Sequence, residues 1–237
     1  MAKSIIPHTK WSASKTALLN LLIEHGGQTI AELSSSLGVS VPYTTKTLNE
    51  LIEDGLIEVT GKKDNYSKRA PKIYDLIATS GYFLGIDTGK QSLTFGICDF
   101  CGNMVAEPEL IHFDYQDTPE CFDRFINLIN EYIQRSGIAR SQIKKACMSI
   151  GGRVNPEIGC AYNYFTCTEM PLAEALTERL DLPFCIDNDT RCMTYGEYTE
   201  RCLQGIEKHH LRKRQLGHRH RYHLRRQALS RKIRLLG

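Results

Sequence analysis

The chain has 237 residues, of which 41% are hydrophobic and 24% are charged, and its formal net charge is +3. This length allows one large domain or two small ones, each with a buried core. No apolar run approaches the length of a membrane-spanning helix, and the first ten residues lack the apolar core of a signal peptide, so we expect a cytoplasmic protein. The nine cysteines are odd in number and stand among apolar positions such as Cys147 and Cys185, which favours thiols in a reducing compartment over a disulfide framework.

Positive charge is concentrated at the end of the chain. Residues 207–237 contain eleven Lys or Arg and one Glu, a net +10, so the first 206 residues carry a net −7 within the total of +3. The overall charge therefore does not indicate a general affinity for nucleic acid. Residues 207–237 have two interpretations, a basic arm that binds nucleic acid and a disordered, solvated tail.

Residues 29–50 predict two short helices joined by a tight turn. Thr29 and Glu32 are spaced for a capping box, and Gly38 is a natural stop for the first helix. Ser40 can cap the second helix, and Pro42 is tolerated in its first turn. A preceding helix is predicted to begin at Ser12 or Ser14 and to end at 25–27, which completes a helix-turn-helix.

The second of these helices has an inner and an outer face. Its inner face is predicted to carry Thr44, Leu48, Leu51 and Ile52. The outer face offers hydroxyls, an amide, a ring and a cation, which can bond base edges and phosphates in a major groove: Tyr43, Lys46 and Glu50, flanked by Thr45, Thr47 and Asn49.

After this helix the pattern changes to strands. Residues 56–60 and 72–77 are strand-like, and the turn between them is rich in basic side chains, namely Lys62, Lys63, Lys68 and Arg69. Such a hairpin is typical of a wing that touches the DNA backbone. We therefore predict a winged helix-turn-helix DNA-binding domain over 1–78. The alternative is a small helical bundle used for protein contacts, with a solvated basic loop.

A second domain begins with three predicted strands. The first ends at Asp87, the second runs through Asp99, and a third follows the turn at Gly102. A carboxylate beside a small-residue turn suits phosphate or a phosphate-bound Mg²⁺. Cys98 and Cys101 form one CxxC, which is weak evidence for a metal because no second pair follows at zinc-ribbon spacing; the alternative is a hairpin turn that carries two thiols.

Further elements place polar residues at strand ends. A helix is predicted to open at 118–119, and a buried strand over 146–150 leads to the turn Gly151, Gly152 and Arg153. A helix over 171–180 and a strand over 184–186 follow, and the strand delivers residues 187–189, Asp-Asn-Asp, to its end. This is the edge at which α/β folds bind ligands, although the same triplet before a helix can simply be an N-cap.

Four motifs carry a family resemblance: GIDTG, CDFCGN, SIGGRVNPEIG at 149–159 and CIDNDTRCMTYGEY at 185–198. Together with the helix-turn-helix they resemble the ROK family of repressors and sugar kinases, over roughly residues 12–205. The resemblance implies an α+β and α/β chain. A winged helix-turn-helix would be followed, over 79–206, by the first lobe of an actin-like sugar kinase (ribonuclease H-like) fold, and 207–237 would be a non-homologous tail.

The resemblance also implies a sugar site. Asn188 matches the family residue that bonds the sugar, and Gly152 lies in the turn that the family places beside it. Asp189 matches the general base of the kinases, which accepts the proton of the sugar hydroxyl. The same pair can bind a sugar without phosphorylating it, since a base needs only hydrogen-bond reach to a hydroxyl.

The first phosphate motif departs from the family. Asp87, Thr88 and Gly89 match it, but Lys90 and the two residues after it stand where kinases usually carry a second Gly and a Thr. The chain also lacks the second phosphate loop, the second lobe and the cysteine cluster of the family's zinc site. We therefore predict no ATP, Mg²⁺ or zinc cofactor and no enzymatic activity.

The leading hypothesis is a repressor of sugar-metabolism genes that binds a double-stranded DNA operator, responds to a sugar or sugar-phosphate inducer and forms a homo-oligomer. Two alternatives are a sugar kinase with Asp189 as its base and a binding module with no DNA partner.

The basic residues 207–237 suggest a further hypothesis, about the gene. The segment GHRHRYHLRRQ can be encoded by codons that, when the reading frame is moved by one base, encode GIGIGIIFDGK. This second peptide resembles the family's second phosphate loop. A frameshift near Ile206 would thus have truncated the lobe, and the nucleotide sequence after codon 205 would test this.

Overall fold

A computed structural model describes residues 12–62, 70–194 and 196. The chain divides into two compact units, and the boundary between them along the chain lies between Ile77 and Ala78. In chain order the elements are α1 (Ala13–His25), β1 (Gln28–Thr29), α2 (Ile30–Leu37), α3 (Val41–Glu53), β2 (Ile57–Lys62), β3 (Lys72–Leu76), β4 (Tyr82–Thr88), β5 (Ser92–Asp99), β6 (Glu109–His112), α4 (Pro119–Ser136), β7 (Ile143–Ile150), β8 (Val154–Asn155), β9 (Cys160–Ala161), α5 (Leu172–Leu180) and β10 (Phe184–Asn188).

Side-chain caps set the helix boundaries of the first unit. Ser12 caps α1, and the predicted capping box of α2 is present: Thr29 Oγ1 accepts from the Glu32 amide at 3.3 Å, and Glu32 Oε2 accepts from the Thr29 amide at 2.9 Å. Gly38 ends α2 in the left-handed conformation, with φ +65°, and Ser40 caps α3. These sequence predictions are confirmed.

The core of the first unit lies between its helices and a small antiparallel sheet. The described part of the sheet has the order β1-β3-β2, with Tyr74 of β3 opposite both Gln28 and Val59. The two-residue strand β1 was not predicted from the sequence, because it is too short to show an alternating pattern. Fully buried leucines fill the core: Leu18, Leu19, Leu33, Leu48 and Leu51.

The described part of the second unit is built on a five-stranded mixed sheet with the order β10-β7-β4-β5-β6. Strands β10, β7 and β4 run parallel, whereas β5 and β6 pair antiparallel at the other side. Both α4 and α5 contribute to the main buried cluster, through side chains such as Phe125 and Leu176, which pack with Leu84, Met148 and Ile186 of the sheet. The strand residues in this cluster alternate along the chain, so their neighbours point to the opposite face.

Several strand boundaries differ from the sequence predictions; for example, β7 begins at Ile143 instead of residue 146. No strand directly follows the Gly102 turn in the described residues: Met104 makes one isolated bridge to Cys98, and the partner of β5 is β6. The Asp99 carboxylate closes this turn by accepting from the Asn103 amide at 2.9 Å, and Pro108, which has no N–H to donate, precedes β6. Strand β10 is longer than predicted, and it includes Asp187 and Asn188.

Candidate functional site

The outward face of α3 carries three of the predicted DNA-contacting side chains. Tyr43, Lys46 and Asn49 are exposed, and Tyr43 is 46% accessible. The Tyr43 hydroxyl lies 2.5 Å from Ser14 Oγ at the start of α1, so this ring is held at the junction of two helices. Thr45 is half-buried, and its hydroxyl donates to the Val41 carbonyl at 2.8 Å.

The structure places Thr47 and Ile52 differently from the sequence prediction. Thr47 is buried, and its hydroxyl donates to the Tyr43 carbonyl at 3.2 Å, so it lies on the inner face of α3 instead of the outer one. Ile52 is 38% accessible instead of lying on the inner face. The buried positions Thr44, Thr47, Leu48 and Leu51 follow i, i+3, i+4 and i+7 spacing, so helical periodicity places Thr47 on the inner face. Ile52, at i+8 from Thr44, lies at the edge of this stripe.

Two polar contacts that sequence reasoning missed hold α3 in place. Ser34 of α2 donates to Thr44 Oγ1 at 2.9 Å, and both side chains are buried. Lys15 of α1 reaches Asp54 at 2.8 Å and Glu50 at 3.3 Å, so Glu50 faces α1. The hydrogen bond that Lys15 donates to Asp54 raises the pKa of Lys15 above its ordinary value, against the effect of desolvation. The i, i+4 spacing of Glu50 and Asp54 was the available signal for a shared cation.

The predicted wing is only partly within the described residues. Strands β2 and β3 form its two arms, and Lys62 lies opposite Lys72 at the end of the hairpin nearest the connecting residues. The Lys62 side chain and residues Lys63, Lys68 and Arg69 lie outside the described part, as do the predictions for residues 207–237.

In the second unit, three polar residues form a row across parallel strands. Asp87 of β4 lies opposite Ser149 of β7, which lies opposite Asp187 of β10. Ser149 Oγ donates to Asp87 Oδ1 at 2.8 Å, and Thr88 Oγ1 donates to the Ser149 carbonyl at 2.8 Å. Ser149 and Asp187 are buried. The carboxyl ends of β4 and β7 are therefore tied together by side chains of the first phosphate motif.

The turn after Asp87 closes on itself. The Gly89 amide donates to the Ser92 carbonyl at 2.8 Å, and a Cβ added at Gly89 would collide with the Ser92 hydroxyl. A side chain at position 89 would therefore force the Ser92 hydroxyl to move. Asp87, Thr88 and Gly89 lie at this strand end in contact with Ser149 and Ser92, and their binding of phosphate stays a prediction.

Asp187 also joins an ion pair that sequence reasoning missed. Arg191 Nη2 lies 2.9 Å from Asp187 Oδ1, and it donates to the Val154 carbonyl at 3.3 Å. The Asp187 side chain is 7% accessible, whereas that of Arg191 is 49% accessible. The i, i+4 spacing from a strand end into the first helical turn was the signal for this pair.

Asn188 connects the strand end to the neighbouring turn. Its Nδ2 donates to the Gly152 carbonyl at 2.9 Å, and its Oδ1 accepts from the Arg191 amide at 3.3 Å. The latter contact is that of an N-cap, so the capping interpretation of this triplet applies to Asn188. Asp189 lies one residue further, with Oδ2 3.6 Å from the position that a Cβ on Gly151 would occupy. Gly152 has φ +93°, which favours glycine there.

These elements border a cleft of about 690 Å³, a size typical of small-molecule sites. Of the predicted sugar-binding residues, Gly152 and Asn188 line it and Asp189 does not, whereas Tyr162 and Arg191 line it without having been predicted. The Arg153 guanidinium lies 5.4 Å from the Tyr162 ring centroid, so a cation and an aromatic face stand together. The remaining lining residues are Val154, Asn155, Pro156 and Glu157.

Cys98 and Cys101 flank the turn that Asp99 closes, as the hairpin interpretation described. Asn103 Nδ2 donates to Asp99 Oδ2 at 3.1 Å, and the Gly102 amide donates to the Asp99 carbonyl at 3.0 Å. Among the residues that the structure describes, no group of three or more His, Cys, Asp or Glu side chains is placed to hold a metal ion. Over the same residues, no helix is both long enough and apolar enough to cross a membrane.

Comparison with known families matches both units. Residues 13–58 match a family model described as winged helix-turn-helix DNA-binding, and residues 83–209, more than half of the chain, match the ROK family model. The chain belongs to the ROK family. The resemblance that the four motifs indicated is thereby confirmed, as is the fold class of a winged helix-turn-helix followed by a partial sugar-kinase-like domain.

Among ROK proteins, the chain is 22% identical over 185 residues to the DNA-binding transcriptional repressor Mlc of Escherichia coli, covering 76% of this chain and 45% of that protein. It is 22% identical over 183 residues to a xylose repressor of Bacillus spizizenii, covering 76% and 47%. A crystal structure of a ROK family transcriptional regulator homologous to Mlc aligns with a TM-score of 0.64 at 20% identity, over 81% of this chain and 49% of that one. The chain thus spans about half the length of the curated relatives it matches.

Proposed function

We propose that this ROK protein is a DNA-binding transcriptional repressor of sugar-metabolism genes and that a sugar or sugar phosphate releases it from its operator. The observation that carries the proposal is the exposed polar face of α3, with Tyr43, Lys46 and Asn49, in a chain that also contains a ligand-sized cleft. The names of the repressor relatives support the same assignment.

On the DNA side, the α3 residues would read bases and the wing would bind phosphates. An Asn amide can donate to and accept from one adenine, and a Lys ammonium can donate to guanine, so Asn49 and Lys46 would determine sequence preference. Thr45 would contribute as a flanking contact. The basic wing residues would bind the backbone without reading sequence: Lys62, Lys63, Lys68 and Arg69. A homo-oligomer would present two such units to two half-sites.

On the ligand side, the cleft offers the groups that a sugar requires. The Tyr162 ring can pack against the apolar face of a pyranose, and the Asn188 amide can bond a hydroxyl. Gly152 would let the ligand approach the backbone. Asp189 lies outside the lining of the cleft, beside Gly151, and it would accept a hydrogen bond from a hydroxyl of a ligand that extends to it. A guanidinium such as Arg153 would suit a phosphate on the sugar.

We propose that the chain does not phosphorylate its ligand and uses neither ATP nor Mg²⁺. Phosphoryl transfer depends on positioning the nucleotide phosphates and their metal. The Asp87 carboxylate accepts from Ser149, and the Gly89 turn bonds to Ser92, contacts that support a structural role for this corner.

The DNA assignment is tested with the full chain and an operator selected from random DNA. Asn49→Ala should weaken the free energy of binding to the operator by about 1–3 kcal/mol and that to random DNA only slightly, because a base contact is removed. Asn127→Ala, which removes an exposed Asn from α4, is the matched control and should change neither. If Asn49→Ala weakens binding to both DNAs equally, Asn49 does not read bases.

The wing is tested by the salt dependence of binding. Lys62→Ala and Arg69→Ala should weaken binding to operator and random DNA alike, and each should lower the slope of log K against log salt by about 1, since one phosphate contact is lost. Unchanged slopes in titrations at several salt concentrations would show that these side chains do not contact phosphates.

A further inference from the structure

Two cysteines lie directly opposite each other in the second unit. Cys147 of β7 and Cys185 of β10 are register partners on adjacent parallel strands, and their Sγ atoms are 2.7 Å apart. Neither is in a disulfide bond in this structure. Neighbouring strands are about 4.8 Å apart, within the Cα separation that a disulfide spans, so the bond could form without moving the backbone far.

The two thiols differ in exposure, and this difference determines which of them meets a soluble oxidant first. Cys185 is half-buried, whereas Cys147 is 4% accessible. A soluble oxidant therefore reaches Cys185 first, and Cys147 stands ready as the resolving thiol. Cys192 is also buried, and its burial raises its pKa to about 12. Unlike Cys147, it is not the register partner of Cys185.

We propose that Cys147 and Cys185 are an oxidation site at which a peroxide forms a cross-strand disulfide. The Cys185 thiolate attacks hydrogen peroxide, breaks its O–O bond and releases hydroxide, giving a sulfenic acid. The Cys147 thiolate then attacks that sulfur, forms the S–S bond and displaces the hydroxyl group. In sum, two thiols are oxidised, one peroxide is reduced and two waters are formed. In a reducing compartment such a bond would be transient and reversed by thiols.

The position of the pair connects this chemistry to the cleft. Cys147 precedes Ser149 by two residues, and Cys185 precedes Asp187 by two, so the bond would join the strands that lead to the Gly152 turn and to Asn188. The loop closed by the bond spans residues 147–185, and closing it should raise the thermal stability of the unit, because a crosslink restricts the unfolded chain.

The test uses the full chain treated with hydrogen peroxide, then alkylated and mapped by mass spectrometry without reduction. We expect one crosslinked peptide that joins Cys147 to Cys185, the loss of two titratable thiols, and a rise of several degrees in Tm that dithiothreitol reverses. Cys160→Ser, a matched change at a half-buried cysteine elsewhere, should keep the crosslink, and Cys147→Ser should abolish it. Complete alkylation of both thiols after oxidation, a bond from either one to Cys192, or sulfinic acid at Cys185 without a crosslink in the native chain would overturn the proposal.

Discussion

The ion pair between Asp187 and Arg191 should contribute more to stability than its surface geometry suggests. A matched pair exists on the helices, where Arg179 lies 2.6 Å from Asp123 and the two side chains are 49% and 56% accessible. Arg191 is also 49% accessible, but its partner Asp187 is 7% accessible. The arginines are thus equally exposed, and the carboxylates differ in burial. Each arginine has one further contact, Arg179 with the Phe122 ring and Arg191 with the Val154 carbonyl.

This difference sets the expected magnitudes. Breaking an exposed pair costs about 0–1 kcal/mol, and breaking a fully buried one costs about 3–5 kcal/mol. Arg191 is hydrated, and Asp187 keeps a 2.8 Å hydrogen bond from the Asn188 amide. Both features reduce the penalty, so Arg191→Gln should lower the free energy of unfolding by about 2 kcal/mol, and Arg179→Gln by less than about 1 kcal/mol.

Urea unfolding of the full-length variants, followed by circular dichroism and tyrosine fluorescence, measures both values, provided that the slope with denaturant is unchanged. Adding Asp187→Asn to Arg191→Gln should recover part of the loss, because the buried charge is removed with its partner. If the two arginine variants differ by less than about 0.5 kcal/mol, the reasoning from carboxylate burial is refuted.

Three other outcomes are expected. Thr44→Val should lower the free energy of unfolding of the first unit by about 1–3 kcal/mol, since it leaves the buried Ser34 hydroxyl without its acceptor, and a thermal melt that matches the unaltered chain would contradict this. Tyr162→Ala should weaken sugar binding in calorimetry while Asn127→Ala does not, and equal affinities would exclude the ring from the ligand site. A coupled assay with ATP and several hexoses should show no turnover, whereas turnover that Asp189→Asn abolishes would establish a kinase.

The sequence predicted those features that follow from local rules. The caps at Thr29 and Ser40, the stop at Gly38 and the strand-to-Asp87 pattern each depend on residues within one turn or strand, and each is confirmed. Thr47 was misplaced because a Thr suits either face of an amphipathic helix, and only the packing of three helices decides which face is buried.

The contacts between distant elements could not be predicted from local sequence rules. Ser149 binds Asp87 across 62 positions, and Tyr162 reaches the cleft through the short hairpin of β8 and β9, which is too brief to show a period. Strand order determines such contacts, and strand order is a property of the whole sheet. The family motifs located Asn188 and Gly152 correctly, but they gave no indication of Arg191 as a bridge to Val154.

In the proposed function, the chain binds an operator and a ligand in the cleft controls this binding. Fluorescence anisotropy of a labelled operator with the full chain, titrated with a panel of sugars and sugar phosphates, tests it most directly. We predict that one ligand class releases the DNA from the unaltered chain and from Asn127→Ala, and that Asn188→Ala requires at least about tenfold more of it, corresponding to about 1.4 kcal/mol of lost binding. Operator binding that no ligand changes, or release that is equal in Asn188→Ala, would contradict the account.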